Sequence, residues 1–427
     1  MPLTPMLSLL RRKAFCLVWT AGLGADAASW LLITGLPIYV FGLTDSSFVT
    51  STVLIVELAA GISCGSFAGV LVDRLDRFRL MTAVTALQAG ALVPLLFVRS
   101  AHQLWIIYLV AAAEAILTQT YEPAKNTLLP SLVGTDETVR ANSMVAFNTN
   151  LGRLVGSSLS GFALAHGGTR FLCVGSGVCF LAAGALLHLG RRASGPAAQV
   201  SARQGTSAVG AWREGIRLVR ADRDIRVAFL STATWSVSQG MFVVLFVVFV
   251  SRVLGDSADV TGVLRGVQAI GGLMGGVFIA TLGHRAEPRR LMIIGATSFG
   301  LLSLVLWNTA YVTHSEAVYI ALFIAVGIPG IASNSGVFSL VQGRVANGEL
   351  GRVFSIFYMV NNSFQCLGML VGGLLGDRVN VTFVLDGQAA LYLVAAAISL
   401  TGLRAGGERH RSAHAPAERL QPTLKRE

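Results

Sequence analysis

"GVLVDRLDRFRLM" (residues 69–81) crowds five charges into seven positions between two long apolar runs, and "ATLGHRAEPRRLM" (residues 280–292) ends on the same three residues much later in the chain. Aligned on "RLM", Asp73 meets His284, Arg74 meets Arg285, Asp76 meets Glu287 and Phe78 meets Arg289. Each stretch joins the second and third apolar runs of its own half. A charged turn met twice at corresponding places points to an internal repeat of two parallel halves, an architecture that recurs among transporters.

The composition agrees. Of 427 residues, 53% are hydrophobic and 13% charged, against about 25% charged in an ordinary soluble domain. Apolar runs of 18 or more residues recur from end to end, each long enough to span a bilayer core of about 30 Å. The fold class expected is all-α and polytopic, with twelve transmembrane helices in two six-helix pseudo-repeat halves around a central cavity. The spans are expected near 14–43, 48–72, 80–98, 103–122, 142–165, 169–190, 226–251, 260–283, 290–310, 316–342, 352–376 and 382–403. This division gives a first half at 1–190, a linker at 191–225, a second half at 226–403 and a disordered basic tail at 404–427. Prolines stand in "MPLTPMLSLLRRKAF" where a signal peptide needs an apolar core, so the first span is expected to be kept.

The formal charge is +11. Placed on the spans, most Lys and Arg fall on one side, among them Arg74, Arg77, Arg79, Lys125, Arg140, Arg285, Arg289, Arg290, Arg344 and Arg352, together with both tails and the linker. Only Arg99, Arg170, Arg252 and Arg378 fall opposite. The positive-inside rule then sets both termini in the cytoplasm of a cell-membrane protein. Basicity is read as topology and as contact with anionic lipid, with no nucleic-acid partner. In the linker, "AWREGIRLVRADRDIR" (211–226) sets apolar against Arg residues, as in an amphipathic helix on the inner membrane surface. The five cysteines all lie in apolar runs without a CxxC pair, which fits packing residues better than disulfides or a metal site. There is no GxxxxGK[ST] and no HExxH, so ATP-driven pumping and zinc hydrolysis are not expected. Neither is any enzyme activity or cofactor.

Glycine rows at four-residue spacing, Gly61-Gly65-Gly69 in the second span and Gly368-Gly372-Gly376 in the eleventh, mark faces for close helix approach. The stretch Gly69-x-x-x-Asp73-Arg74-x-x-Arg77 resembles the cytoplasmic signature of the major facilitator superfamily, and the resemblance extends over essentially the whole chain. Asp76 and Phe78 depart from it, standing where that family usually has Gly and a basic residue. "LPSLVGTDETVRANSM" (129–144) and "LVQGRVANGELGRVFS" (340–355) resemble loops of the macrolide-efflux and enterobactin-exporter branch. The Gly-Pro motif of many drug antiporters is missing from "GRLVGSSLSG" (152–161). The resemblance implies a cytoplasmic gate made by Gly69, Asp73, Arg74, Arg77 and Arg285, closed when the protein faces outward.

Charges inside spans cost at least about 2.5–3.5 kcal/mol on insertion scales, so each asks for a reason. Asp26 is expected roughly 18 Å into the first span, and Glu57, Glu114 and Arg153 at about 14–16 Å into theirs. A carboxyl that gains or loses an Arg neighbour changes its proton affinity. Asp26 and Glu114 are thus read as proton carriers, with Arg153 as the modulating partner and Glu57 as a further candidate. A structural Glu114–Arg153 pair is the alternative. Polar and aromatic residues expected to line the cavity are Trp30, Tyr121, Trp235, Gln239, Asn334, Asn361, Asn362 and Gln365. Arg265 is read as reaching the interface, and Glu122 as part of a loop. The function expected is proton-coupled efflux of a small amphipathic organic compound by a monomer. A proton-coupled importer, and a transporter-like sensor or scaffold without transport, remain as alternatives.

Overall fold

The structure, a computed structural model, describes residues 9–133, 137–194, 208–255, 257–282, 287–346 and 349–403. Its long helices are α1 (Lys13–Thr44), α2 (Ser47–Arg74), α3 (Arg77–Ala91) with a 3-10 turn Val93–Phe97, α4 (Leu104–Ser131), and the stretch Thr138–Ser194. Gly168, at φ 61° and ψ −158°, breaks that stretch into α5 (138–167) and α6 (169–194); only glycine takes such a backbone freely. After the short α7 (Ala208–Ala221) come α8 (Arg223–Phe249), α9 (Ala258–Leu282), α10 (Pro288–Asn308), α11 (Glu316–Arg344), α12 (Leu350–Gly376) and α13 (Val381–Gly402). Ten helical stretches among the described residues are long and apolar enough to cross a membrane, and one of these, Met144–Ser194, is long enough for two crossings. The fold is an all-α polytopic bundle.

Within the first half, α1 packs on the α5–α6 pair and α2 on α4. Within the second, α8 packs on α12 and α13, and α11 on α9 and α10. The repeated turn keeps its register in the backbone, where the Leu80 N–H donates to the Asp76 carbonyl and the aligned Leu291 N–H to the Glu287 carbonyl. Asp76 is the N-cap of α3, its side chain accepting from the Arg79 N–H, and Glu287, its aligned partner, is the N-cap residue of α10. Arg191 of α6 pairs with Asp76 at 3.2 Å. At the equivalent seam Arg289 of α10 donates to the Leu400 and Leu403 carbonyls that end α13. Same joint, different donor.

A Cβ at Gly61 would press on Gln119 of α4, and one at Gly368 would sit 2.0 Å from the Val237 carbonyl of α8, so each of these glycines lets a neighbouring helix come close. One expectation changes. The linker helix starts at Ala208 and ends at Ala221, and Ile225 belongs to α8. Its apolar residues Ile216, Leu218 and Val219 pack into the second half's core with Val353 and Ile356, and Glu214 pairs with Arg352. That face is taken by protein, leaving the exposed Arg213, Arg217 and Arg220 outward. The 404–427 tail lies outside the described residues.

The two halves meet along α5–α9 and α2–α12. At the ends away from the basic turns the approach is close: a Cβ on Gly262 would lie 2.6 Å from the Ser157 carbonyl, and one on Gly373 2.2 Å from the Ser51 hydroxyl. Nearer the basic face the seam loosens, and Gly276 has nothing within 4 Å. A charged clasp closes the tight end. Asp377, following α12, accepts from the Ser47 N–H and hydroxyl at 2.8 and 2.7 Å, from the Ser46 hydroxyl at 2.8 Å and from the Phe48 N–H at 3.1 Å. It thereby supplies the anion that the α2 N-terminus favours, from the opposite half. Arg252 adds bonds to the Asp45 carbonyl, the Asp45 carboxylate and the Gly376 carbonyl, and lies 3.6 Å from Asp377.

Burial pushes the Asp377 carboxyl up, but the hydrogen bonds from Ser47, Phe48 and Ser46 outweigh it and hold the group below the usual carboxylate range. A carboxyl depressed in the closed state favours closure at pH above its ordinary range, and that preference is lost only as pH falls through the lowered value. The clasp is thus intact at neutral and mildly acidic pH. Ser51, fully buried on this seam, reports it. A Ser51→Cys probe in a cysteine-free background is expected to resist a membrane-impermeant maleimide, and adding Asp377→Ala is expected to raise its labelling rate about tenfold or more. Equal labelling in both would remove the clasp from the account.

Candidate functional site

Midway along α1, Asp26 is buried against α5, where only glycine fits: a Cβ on Gly152 would sit 2.6 Å from the Asp26 Cβ. Its partner is Lys125, whose Nζ donates to Asp26 Oδ1 at 2.8 Å and to Glu122 Oε1 at 2.7 Å. Lys125 is 1% exposed, Asp26 7% and Glu122 39%. Thr149 of α5 reaches Asp26 Oδ2 at 3.5 Å. The fourth span is expected to end at Glu122, and Pro123 disfavours helix in the residue before it. Here α4 continues through Pro123 to Ser131, the Thr127 hydroxyl binding the Pro123 carbonyl. Lys125 is therefore a core residue and not a turn cation, and it stands where Arg153 was expected. The signal available in advance was its i, i+3 spacing from Glu122.

A second acidic group lies on α2 and α4. Gln88 of α3 donates to Glu114 Oε2 at 3.1 Å, while Glu114 Oε1 is buried with no partner. Glu57 faces the same space. Across from them, Arg153 of α5 donates to Gln268 Oε1 of α9 and its guanidinium lies 5.1 Å from the centroid of the Trp30 ring. Arg265, one turn before Gln268, shares that carbonyl at 3.4 Å and covers Phe242 at 4.9 Å. Among the described residues none of Glu57, Glu114, Arg153 and Arg265 makes an ion pair, so the Glu114–Arg153 pair is not formed.

The acids and Arg265 line a cavity of about 290 Å³ between the halves, with Trp30 and Leu36 of α1, Leu54 of α2, Val243 of α8, and Gln365 and Met369 of α12 completing its walls. Its size approaches the lower end of small-molecule sites, which run from about 300 to 1,000 Å³. The lining is apolar with a few charges, the chemistry that holds an organic molecule and orients it. Arg265, read as an interfacial residue, is inside it.

Of the residues expected here, Trp30 and Gln365 line the cavity. Tyr121 is buried beside Lys125, its ring centroid 5.8 Å from Nζ. Trp235 packs between Phe299 and Tyr392 in the second half's core, and Gln239 accepts from the Tyr392 hydroxyl at 2.8 Å. Asn361 accepts from Ser236 and donates to Asn362, and Asn334 is exposed on α11. These six lie outside the cavity lining: core packing holds Tyr121 and Trp235, bonds to neighbouring helices hold Gln239 and Asn361, Asn362 bonds its neighbour Asn361, and Asn334 is exposed. Of the expected gate, Arg77 is half-buried at the start of α3. Arg285 and the side chains at 69, 73 and 74 lie outside the described residues. Among the described residues no three His, Cys, Asp or Glu converge as metal ligands would.

The family model of the Major Facilitator Superfamily matches residues 18–369 and again 228–425. An uncharacterized transporter of that type from Bacillus subtilis is 24% identical over 88% of this chain and 90% of its own. A multidrug resistance protein of Salmonella dublin is 22% identical over 91% of this chain and 93% of its own. Among solved structures, that of a nucleoside transporter superposes with a TM-score of 0.76 at 16% identity, covering 92% of this chain and all of the other.

Removing one member of a buried ion pair costs about 3–5 kcal/mol, because the other charge is left alone. Lys125→Met is therefore expected to lower the melting temperature of the purified protein steeply, and Lys125→Met with Asp26→Asn to recover most of the loss. A single variant that melts with the unmodified protein would contradict the pairing.

Proposed function

The chain belongs to the major facilitator superfamily, and we propose that it is a secondary active transporter that exports a small amphipathic organic compound in exchange for protons. The observation that carries this reading is Glu114: a carboxyl 8% exposed, one oxygen without a partner, in the wall of an apolar cavity shared by both halves. An acid in a span is retained at a cost, and one that faces a substrate cavity without a counter-charge is suited to carry a proton that a substrate displaces.

Under this reading the basic face is cytoplasmic and the Asp377–Arg252 clasp closes the outer side, leaving the cavity approachable from the cytoplasm. Asp26 and Glu114 carry the protons. Lys125 tunes Asp26, the part first given to Arg153, and Glu57 serves as a second acid beside Glu114. Rocking of one half against the other would open the clasp, with Gly69, Asp73, Arg74, Arg77 and Arg285 as the gate of the opposite state. Export, with the compound as the cytoplasmic cargo, draws support from the multidrug resistance relative.

Inside-out vesicles from cells making the protein, given an acidic interior, test the scheme. They are expected to accumulate a fluorescent amphipathic probe, and Asp26→Asn and Glu114→Gln are each expected to abolish the gradient-driven part. Full accumulation in both variants would overturn the coupling scheme. Gradient-driven uptake by right-side-out vesicles alone would make the protein an importer.

A further inference from the structure

The charges around the cavity are sorted by half. Of the charged residues lining it, both acids come from α2 and α4 of the first half and Arg265 from α9 of the second; Arg153, on α5 of the first half and outside the lining, shares the Gln268 carbonyl with Arg265. Neither carboxylate lies within ion-pair distance of either guanidinium. Each side is also short of partners of its own kind. Arginine carries five N–H donors, yet these two converge on one amide oxygen, and Arg153 Nε is buried with no acceptor. Glu114 Oε1 has no donor and Glu57 has no hydrogen bond among the described residues. Aromatic faces, Trp30 under Arg153 and Phe242 under Arg265, steady the cations but accept none of their remaining protons in the plane.

A cation alone would satisfy the acids and leave two like charges facing each other across one carbonyl. An anion alone would do the reverse. Between the two poles the walls are apolar: Leu36 and Leu54 from the first half, Val243 and Met369 from the second. We propose that the cavity selects a dipolar molecule with an apolar body, its basic nitrogen held by Glu57 and Glu114 and its anionic group by Arg265. A bound dipole would also tie one half to the other, since its two ends are held from opposite halves. This inference rests on the cavity being the substrate site and narrows the class of compound it takes.

Three compounds that share an indole body separate the charges: tryptophan carries both, tryptamine the cation alone and indole-3-propionate the anion alone. Isothermal titration of the purified full-length protein in lipid nanodiscs at constant pH measures each. Tryptophan is expected to bind about tenfold or more tighter than either, as expected for losing one charge-assisted contact. Arg265→Gln is expected to bring tryptophan down to the affinity of tryptamine while leaving tryptamine unchanged, and Arg265→Lys to keep the preference and so exclude a folding defect. Glu57→Gln is expected to weaken tryptophan and tryptamine alike while leaving indole-3-propionate unchanged. Equal affinity for all three, tightest binding of tryptamine, or no binding by any of them overturns the proposal. Because the measurement needs no transport, it separates the two readings. The charge rule without flux in vesicles would remove export and keep the dipolar site, and flux of simple cations without the charge rule would do the opposite.

Discussion

The ion pair between Lys125 and Asp26, 2.8 Å long and almost wholly buried, states the constraint under which this protein is built: a charge in a span must be paired or must face water or a ligand. Asp26 is paired, and the pairing fixes where α1, α4 and α5 lie. Gly152 lets α5 come close enough for Thr149 to reach the carboxylate, and the continuation of α4 through Pro123 brings the amine inward. With that corner neutralised, four charges inside the spans that make no ion pair among the described residues stand around one space. Glu57, Glu114 and Arg265 line the cavity and Arg153 stands behind it.

Apart from Asp26, which belongs to both, that division separates scaffold from working parts. The pairings within each half are long, apolar and sealed by hydrogen bonds such as Tyr392 to Gln239 and Ser231 to the Ala395 carbonyl. The pairings between halves are of another kind. They depend on glycines that bring backbones together at the tight end of the α5–α9 and α2–α12 seams, and on one carboxylate, Asp377, bound to the N-terminus of a helix in the other half. Small residues let these seams part with few large side chains to withdraw, Leu54 beside Val244 and Met369 among them, and the hydrogen bonds of Asp377 and Arg252 can be exchanged for water. Such a joint can open without disturbing either half, which is the requirement of alternating access.

Much of this could be read from residues alone. The register of the two charged turns was visible in "RLM", and it survives as the N-cap positions Asp76 and Glu287. Span positions followed from apolar run length, because the bilayer imposes that length. The errors have a common cause. Lys125 was assigned to a turn because Glu122-Pro123 reads as a helix end, and the local rule was overridden by the pairing of Lys125 with Asp26, 99 residues away. Arg153 was given to Glu114 because both sit at similar depth, but depth says nothing about azimuth, and Arg153 turns toward Gln268 of α9. Trp235 and Gln239 were placed in the cavity by residue type, whereas aromatic packing against Phe299 and Tyr392 holds the first and a tyrosine hydroxyl the second. Periodicity locates helices along the membrane normal; which face meets which neighbour is decided by contacts far apart in the chain.

Coupled export requires that an unpaired carboxyl of the cavity hold a proton that a substrate displaces. The most direct measurement is proton release on binding, read by a pH indicator in weakly buffered solution as purified protein is titrated with any compound that vesicles accumulate. The account predicts release that saturates with binding and disappears in Glu114→Gln. Binding of the same compound with no release from the unmodified protein would contradict it.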